Sequence, residues 1–380
     1  MNPKPAQAMY DFLVVGAGLA GCTIAERLAT QSAARVLVVD ERAHVAGNAY
    51  DPVDERGHRV HRFGPHIFHT NSQHVVNYLS RFTAWRPYEH RVLANIDGRL
   101  VPIPINRTTI NALYGLNLSQ TEMVRFFAQR AEPRERIANS EDAIVSKVGW
   151  ELYERFFQGY TRKQWGLDPK ELDASVCGRI PTRTTDEDRY FSDLFQATPA
   201  DGFVTMCARM LDQPNVELAL STTFEAAADR FRFNHVIYTG PIDAYFSYRF
   251  GTLPYRSLRF EFQTVEIAGG LPAGCVNEPD ETVPYTRTSD FAHICGNRGA
   301  FTVLCREYPL ANGEPYYPIP RLENRMLHQR YKKLAEREAN VTFVGRLAEY
   351  RYYNMDQVIA SALTTYEQLA RAGIAVRRIA

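Results

Sequence analysis

Three glycines and one acid carry the clearest chemistry in this chain. Gly16-Ala17-Gly18-Leu19-Ala20-Gly21 is a G-x-G-x-x-G run, and Asp40 closes an apolar stretch about twenty residues further on. In that spacing Gly16 permits a tight turn and Gly18 lets backbone N–H groups approach a pyrophosphate. Gly21 lets the following helix pack close to the strand, and its positive N-terminus then faces the anion. Asp40 is placed to bond ribose hydroxyls. A second pair, His66 and His69, stands at i, i+3 in the loop Gly64-Pro65-His66-Ile67-Phe68-His69-Thr70. Two imidazoles in a glycine-proline loop beside a cofactor motif favour a functional role over a structural one. Metal binding is rejected, because no third ligand lies at suitable spacing. The six cysteines include no C-x-x-C pair, which argues against a zinc site and a disulfide framework.

The elements that must position these residues are legible in outline. Tyr10–Val15 and Val36–Val39 are apolar runs flanking a helical stretch, a βαβ opening, and a polar loop with a tight turn at Gly47 follows. Val92–Ile96 and Arg99–Ile103 read as a hairpin about Asp97-Gly98, with prolines that confine the second arm to an edge. Ser119 and Glu122 form a capping box for a helix to about Arg130. Ser140 is expected to cap another, and Leu152, Tyr153, Phe156, Phe157 and Tyr160 continue the helical period. Between Trp165 and Tyr190 periodicity disappears over a stretch long enough to be a lid or linker. Val216–Leu220 and His235–Gly240 look like strands rejoining the first sheet. Alternation over Tyr255–Val265, around Val283 and Ile294, and over Phe301–Cys305 suggests an antiparallel sheet. A helix around Arg325–Ala339, a strand Val341–Val344, Gly345-Arg346 and a last helix from about Met355 complete the chain. That return can bring a second backbone dipole to the pyrimidine side of a flavin, which favours FAD over NAD.

A chain of 380 residues is too long for one compact core and implies two or three domains. Its 44 Lys and Arg against 43 Asp and Glu leave a net charge of +1, so any anion site must be local and no nucleic-acid partner is expected. No run approaches the ~18 uncharged apolar residues of a membrane span, and Met1–Ala8 lacks the apolar core of a signal peptide. The expectation is a cytoplasmic protein without membrane contact.

In combination the motifs resemble the UDP-galactopyranose mutases of bacteria, flavoenzymes that interconvert the six- and five-membered ring forms of UDP-galactose. They are Gly16–Gly21, Gly47-Asn48-Ala49-Tyr50, Gly64–Thr70, Gly159-Tyr160-Thr161-Arg162-Lys163-Gln164-Trp165-Gly166, Arg179-Ile180-Pro181, Pro284-Tyr285-Thr286-Arg287, Glu314–Ile319, Gly345-Arg346-Leu347 and Tyr350-Arg351-Tyr352. The resemblance implies an α/β fold: a Rossmann-like FAD-binding domain (1–85, 190–245 and 325–380), a small helical domain (106–189, with a mobile substrate lid over about 165–190) and a twisted antiparallel β-sheet domain (86–105 and 246–324).

It implies cofactor contacts from Gly16, Ala17, Gly18, Leu19, Asp40, Gly47, Asn48, His66, His69, Gly345, Arg346, Tyr352, Asn354 and Met355. For substrate it implies Arg179 and Arg287 on the diphosphate, Phe156 and Tyr160 beside the uracil, and Thr161, Trp165, Tyr190, Tyr352 and either Tyr316 or Tyr317 around phosphates and sugar. Guanidinium suits diphosphate because its planar fork makes paired, charge-assisted hydrogen bonds. Arg179, Arg287 and His69 are the catalytic set. The implied reaction uses reduced FAD, whose N5 attacks the anomeric carbon and displaces UDP; the ring opens through an iminium and recloses contracted, with no net redox change. NAD(P)H or another reductant would activate the enzyme, and a homodimer is expected. Asn354 departs from the family, which often has an acid there; an amide can bond a sugar hydroxyl but cannot be a base. The competing expectations are an amine-oxidase-like flavin oxidoreductase and a non-catalytic FAD or nucleotide-sugar binder.

Overall fold

The computed structural model describes residues 9–375, so the N-terminal segment read above for a leader lies outside the described residues. Five parallel strands form the first sheet, in the order Val341–Phe343, Arg232–Tyr238, Met9–Val15, Val36–Val39, Val216–Ala219. Its central strands are apolar on both faces because both are covered, as parallel sheets require. Phe12, Val14, Val36, Val38 and Ile237 pack under the helices Leu19–Ser32, Gly202–Leu211 and Met355–Arg371, while Leu13, Leu37 and Val236 pack on the opposite side near Phe224–Arg230.

A second sheet has seven strands: Tyr317–Pro318, Tyr255–Glu266, Phe301–Leu310, Arg287–Asp290, Cys275–Asn277, Val92–Ile96 and Arg99–Ile103. The expected hairpin is present, and its proline-bearing arm is the edge. The sheet is not wholly antiparallel, since Cys275–Asn277 runs parallel to Val92–Ile96. These segments lie far apart in the chain, so no hairpin forces them to oppose. Three short strands, Phe68–Thr70, Phe195–Pro199 and Trp85–Pro87, make a third sheet that the sequence did not announce.

Between these lie the helices Arg107–Tyr114, Gln120–Arg130, Ser140–Val148 and Trp150–Tyr153, a π turn at Glu154–Gln158, and the helix Gly159–Trp165. Met123, Ile144, Val145, Leu152 and Phe156 share their core with Val92 and Val101 of the hairpin.

Four local expectations are corrected. Asn139, not Ser140, caps the helix, accepting from Asp142 N at 2.9 Å, while Ser140 is its first residue and donates to the Asp173 carbonyl. Val283 lies in a loop and Ile294 in the short helix Phe291–Cys295, which Asp290 caps through Ala292 N at 2.9 Å. The penultimate helix spans Leu322–Ala335, and tightened bonds from Arg337 N to Leu334 O and Glu338 N to Ala335 O end it there. The aperiodic 165–190 stretch holds a 3₁₀ turn, Pro169–Glu171, and a short helix, Ser175–Gly178; Leu172, Val176 and Cys177 anchor it in the helical core. No helix among the described residues is long and apolar enough to cross a membrane.

Candidate active site

The glycine loop leaves the first sheet through Gly16, whose φ of +104° only glycine adopts without strain. A Cβ on Gly21 would stand 1.8 Å from the Gly16 carbonyl oxygen, so this glycine serves close packing. Gly18 differs: its φ is −78° and the nearest atom to an added Cβ is the Gly47 Cα at 3.7 Å. The turn at Gly47 therefore lies against Gly18 and leaves room there. Asp40 accepts from Ala17 N at 2.8 Å and Arg42 N at 2.9 Å, which orients its carboxylate beside the loop. Asn48 is bonded to Arg42, and Gly345 sits against Ala20 of the first helix. Leu19 and Met355 begin the first and last helices, and both pack into the same core. Asn354 caps the last helix, its backbone N–H donating to Gln357 Oε1 at 3.0 Å, and is exposed.

From this cradle a chain of charged and aromatic side chains leads into a cleft. Arg346 lies 5.8 Å from the Tyr317 ring centroid and has no salt bridge among the described residues. Burial lowers its basicity. His66 is close to both Arg346 and Arg287; burial first and these charges second hold it down at about 4, so it is neutral near pH 7. Its Nδ1 lies 2.8 Å from the Gly64 carbonyl, and its backbone N–H donates to His61 Nδ1. Arg287 donates from Nε to Glu307 Oε1 at 2.7 Å, and Glu307 is fully buried with Oε2 unpartnered. Beyond it stand Tyr160, Tyr190 and Arg179, and Arg179 donates to the Tyr352 hydroxyl at 2.9 Å with its guanidinium over that ring.

Trp165, Tyr317 and Tyr352 form one cluster, with ring centroids 5.5 to 6.2 Å apart. Burial pushes the Tyr317 phenol up to about 12, so it remains an O–H donor. Tyr316, which immediately precedes the strand Tyr317–Pro318, faces the other way, packed on Phe63 and Phe260 and bonded to Glu314, because successive residues of extended chain point to opposite sides. Phe156 and Thr161 do not reach the cleft surface. Phe156 is 2% exposed in the helical core, and Thr161 is buried beside the Cys177 sulfur.

His69 lies 2.7 Å through Nδ1 from Asp193 Oδ2 and stacks on Phe191 at 3.7 Å. His90 is 4% exposed between Tyr88, Tyr190 and Phe191; burial, then Arg287 and His69, hold it at about 3. Sequence reasoning missed Glu307, Asp193 and His90. Glu307 had a usable signal: it shares the inward phase of its strand with Val303 and Cys305. A separate surface cavity of about 690 Å³, bordered by Trp85, Glu89, Gln196 and His293, contains none of the expected site residues.

The donor set fits a dinucleotide cofactor beside an anionic substrate. The glycine cradle has space at Gly18, an unpaired guanidinium stands at Arg346, and buried orphan carboxylate oxygens remain at Glu307 and at Asp356, whose other oxygen accepts from Thr70. Around Tyr317 and Tyr352, among the described residues, three guanidiniums, Arg179, Arg287 and Arg346, meet a single paired carboxylate, Glu307.

Comparison with known proteins agrees with this chemistry. The family model for UDP-galactopyranose mutase matches residues 155–352, and that for an NAD(P)-binding Rossmann-like domain matches residues 14–82. A probable UDP-galactopyranose mutase of Klebsiella pneumoniae is 39% identical, covering 94% of each chain. A dTDP-fucopyranose mutase of Escherichia coli is 36% identical over 93% of this chain and 97% of its own. The fold also matches a crystal structure of reduced UDP-galactopyranose mutase with a TM-score of 0.76, at 16% identity, over 97% of this chain and 95% of that one.

Proposed function

Because this chain belongs to the UDP-galactopyranose mutase family, we propose that it interconverts UDP-galactopyranose and UDP-galactofuranose with FAD, in its reduced form, as the working cofactor. The observation that carries the reading is the convergence of Arg179, Arg287 and Arg346 on one aromatic cleft with, among the described residues, only Glu307 to balance them. In a chain of net charge +1, that local excess calls for an anionic ligand.

When bound and reduced, FAD supplies a nucleophilic ring nitrogen to a reaction that leaves no net change in oxidation state. Gly16, Ala17, Gly18, Leu19, Asp40, Gly47, Asn48, Gly345, Arg346 and Met355 hold it, with His66 and His69 beside it. Arg179 and Arg287 bind the diphosphate and stabilise the charge that develops as it departs, and Tyr190, Tyr317 and Tyr352 add hydroxyl donors. Trp165 and Tyr160 line the nucleotide side and exclude water. His69 keeps one imidazole orientation through Asp193, and Asn354 has no part as a base. The 165–190 segment brings Arg179 to the diphosphate as a lid. We assign the protein to the cytoplasm as a homodimer activated by NAD(P)H or another reductant.

The test is anaerobic incubation with dithionite and UDP-galactofuranose, following UDP-galactopyranose by chromatography, beside an unreduced control. The same assay with a dTDP-fucose ring form decides between the two nucleotide sugars named by the relatives. Conversion only after reduction, with reductant consumed once per many turnovers, establishes the mutase. Reductant or oxygen consumed with each turnover would instead make the protein an oxidoreductase.

A further inference from the structure

Lys163 lies on the helix that carries Tyr160 and Trp165, and its ammonium is caged by main chain. Nζ donates to four carbonyl oxygens, those of Glu278 at 2.5 Å, Asp280 at 2.7 Å, Val283 at 3.0 Å and Tyr285 at 2.9 Å. An ammonium has three protons and no lone pair, so four converging carbonyls saturate it. These carbonyls belong to an irregular loop that runs directly into the strand Arg287–Asp290. On the same helix Gly159 meets the loop so closely that a Cβ would fall 2.4 Å from the Pro279 carbonyl oxygen. A further tie, Arg162 to Glu281 at 3.2 Å, joins two largely exposed side chains and contributes little.

We propose that Lys163 is a positioning residue that clasps the 278–285 loop to the aromatic helix, holding Arg287 in register with Tyr160 and Trp165 so that the two ends of a nucleotide diphosphate are gripped together. This rests on the cleft being a nucleotide-sugar site.

The clasp is sensitive to its own proton. Burial lowers Lys163 to about 8 against the opposing pull of Glu278, Asp280 and Glu281. Of its other charged neighbours, Arg162 is paired with Asp168 at 2.8 Å, and Arg256 donates to the Lys163 and Gln164 carbonyls. Losing the proton leaves two N–H groups and a lone pair aimed at carbonyl oxygens, and the loop loosens. A group titrating near pH 8 is roughly nine-tenths protonated at pH 7 and one-tenth at pH 9. If only the clasped form binds, apparent affinity falls about tenfold over that interval.

The experiment measures UDP affinity by intrinsic tryptophan fluorescence in the flavin-loaded full chain between about pH 7 and pH 9, for wild type, Lys163→Met, Arg287→Lys and the double variant. Wild-type affinity should fall about tenfold as pH rises and approach that of Lys163→Met, which binds weakly with a flat profile and an unchanged flavin content. Because Lys163 acts through Arg287, its substitution should cost far less in the Arg287→Lys background. The same pH slope in Lys163→Met, or two effects that simply multiply, would overturn the proposal. The wild-type profile requires no variant to fold: UDP binding with pH-independent affinity overturns the clasp alone. No UDP binding by wild type overturns the nucleotide reading and the clasp with it.

Discussion

Gly18→Ala separates the glycines that build the fold from the one that admits a ligand. Its backbone, at φ −78° and ψ −175°, suits alanine, and the added methyl would meet only the Gly47 Cα at 3.7 Å, an ordinary contact. The reduced unfolded-state entropy is worth about 0.4–1 kcal/mol, and the poorer N-cap offsets a similar amount, so the apoprotein should stay within about 1 kcal/mol of wild type. The methyl would nevertheless occupy the space through which the pyrophosphate of the proposed cofactor would approach the backbone. Forcing an extra carbon into a packed contact costs roughly 1–3 kcal/mol, which is about 5- to 150-fold in flavin affinity. Gly21→Ala is the contrast, since its methyl would lie 1.8 Å from the Gly16 carbonyl and should destabilise the apoprotein by about 3 kcal/mol or more. Denaturant unfolding of flavin-stripped protein and flavin titration read the two effects separately. Wild-type FAD affinity in Gly18→Ala, or an apoprotein as unstable as that of Gly21→Ala, would refute the reasoning.

Arg179→Ala should lower turnover by about 100-fold or more while flavin content survives, because Arg179, bonded to Tyr352, is the proposed diphosphate ligand; loss of flavin from the purified variant contradicts the assignment. Asp193→Asn should lower turnover about tenfold with UDP affinity unchanged, since it weakens the 2.7 Å contact that orients His69 while an amide oxygen can still accept from Asn71, the other partner of Asp193; equal turnover rates for variant and wild type would remove His69 orientation from the proposed mechanism. His90 is held at about 3 in the folded protein, below its unfolded value of about 6.5, so the unfolded chain takes up the proton first and stability falls as pH drops below about 6.5. His90→Asn should therefore narrow the difference in melting temperature between pH 7 and pH 5, and an unchanged difference would count against a neutral buried imidazole.

Whatever rests on neighbours in the chain was legible without coordinates. The Asp97-Gly98 hairpin and the Ser119–Glu122 capping box are such cases; both residues of the turn have positive φ and both bonds of the box are formed. The failures lie where partners are remote. The period through Leu152, Phe156 and Tyr160 conceals the π turn at Glu154–Gln158, and the extra residue in that turn lets adjacent Phe156 and Phe157 both be buried. Phe195–Pro199 and Trp85–Pro87 are proline-bearing and without alternation, and they are strands because Phe195–Pro199 pairs with Phe68–Thr70 on one side and Trp85–Pro87 on the other.

Within the candidate site the same division holds. By itself the sequence determined the glycine cradle and Asp40, whose chemistry is written in the fixed spacing of one βαβ unit, and the family motifs that mark Arg179 and Arg287. Only the tertiary structure decided that Tyr317 joins Trp165 and Tyr352 while Tyr316 turns away, that Phe156 and Thr161 lie behind the cleft surface, and that Glu307 and Asp193 hold Arg287 and His69. Those pairs are 20 and 124 positions apart in the chain. Local spacing encodes turns, caps and strand phase, whereas a hydrogen bond across such a distance exists only after the sheets and helices have packed.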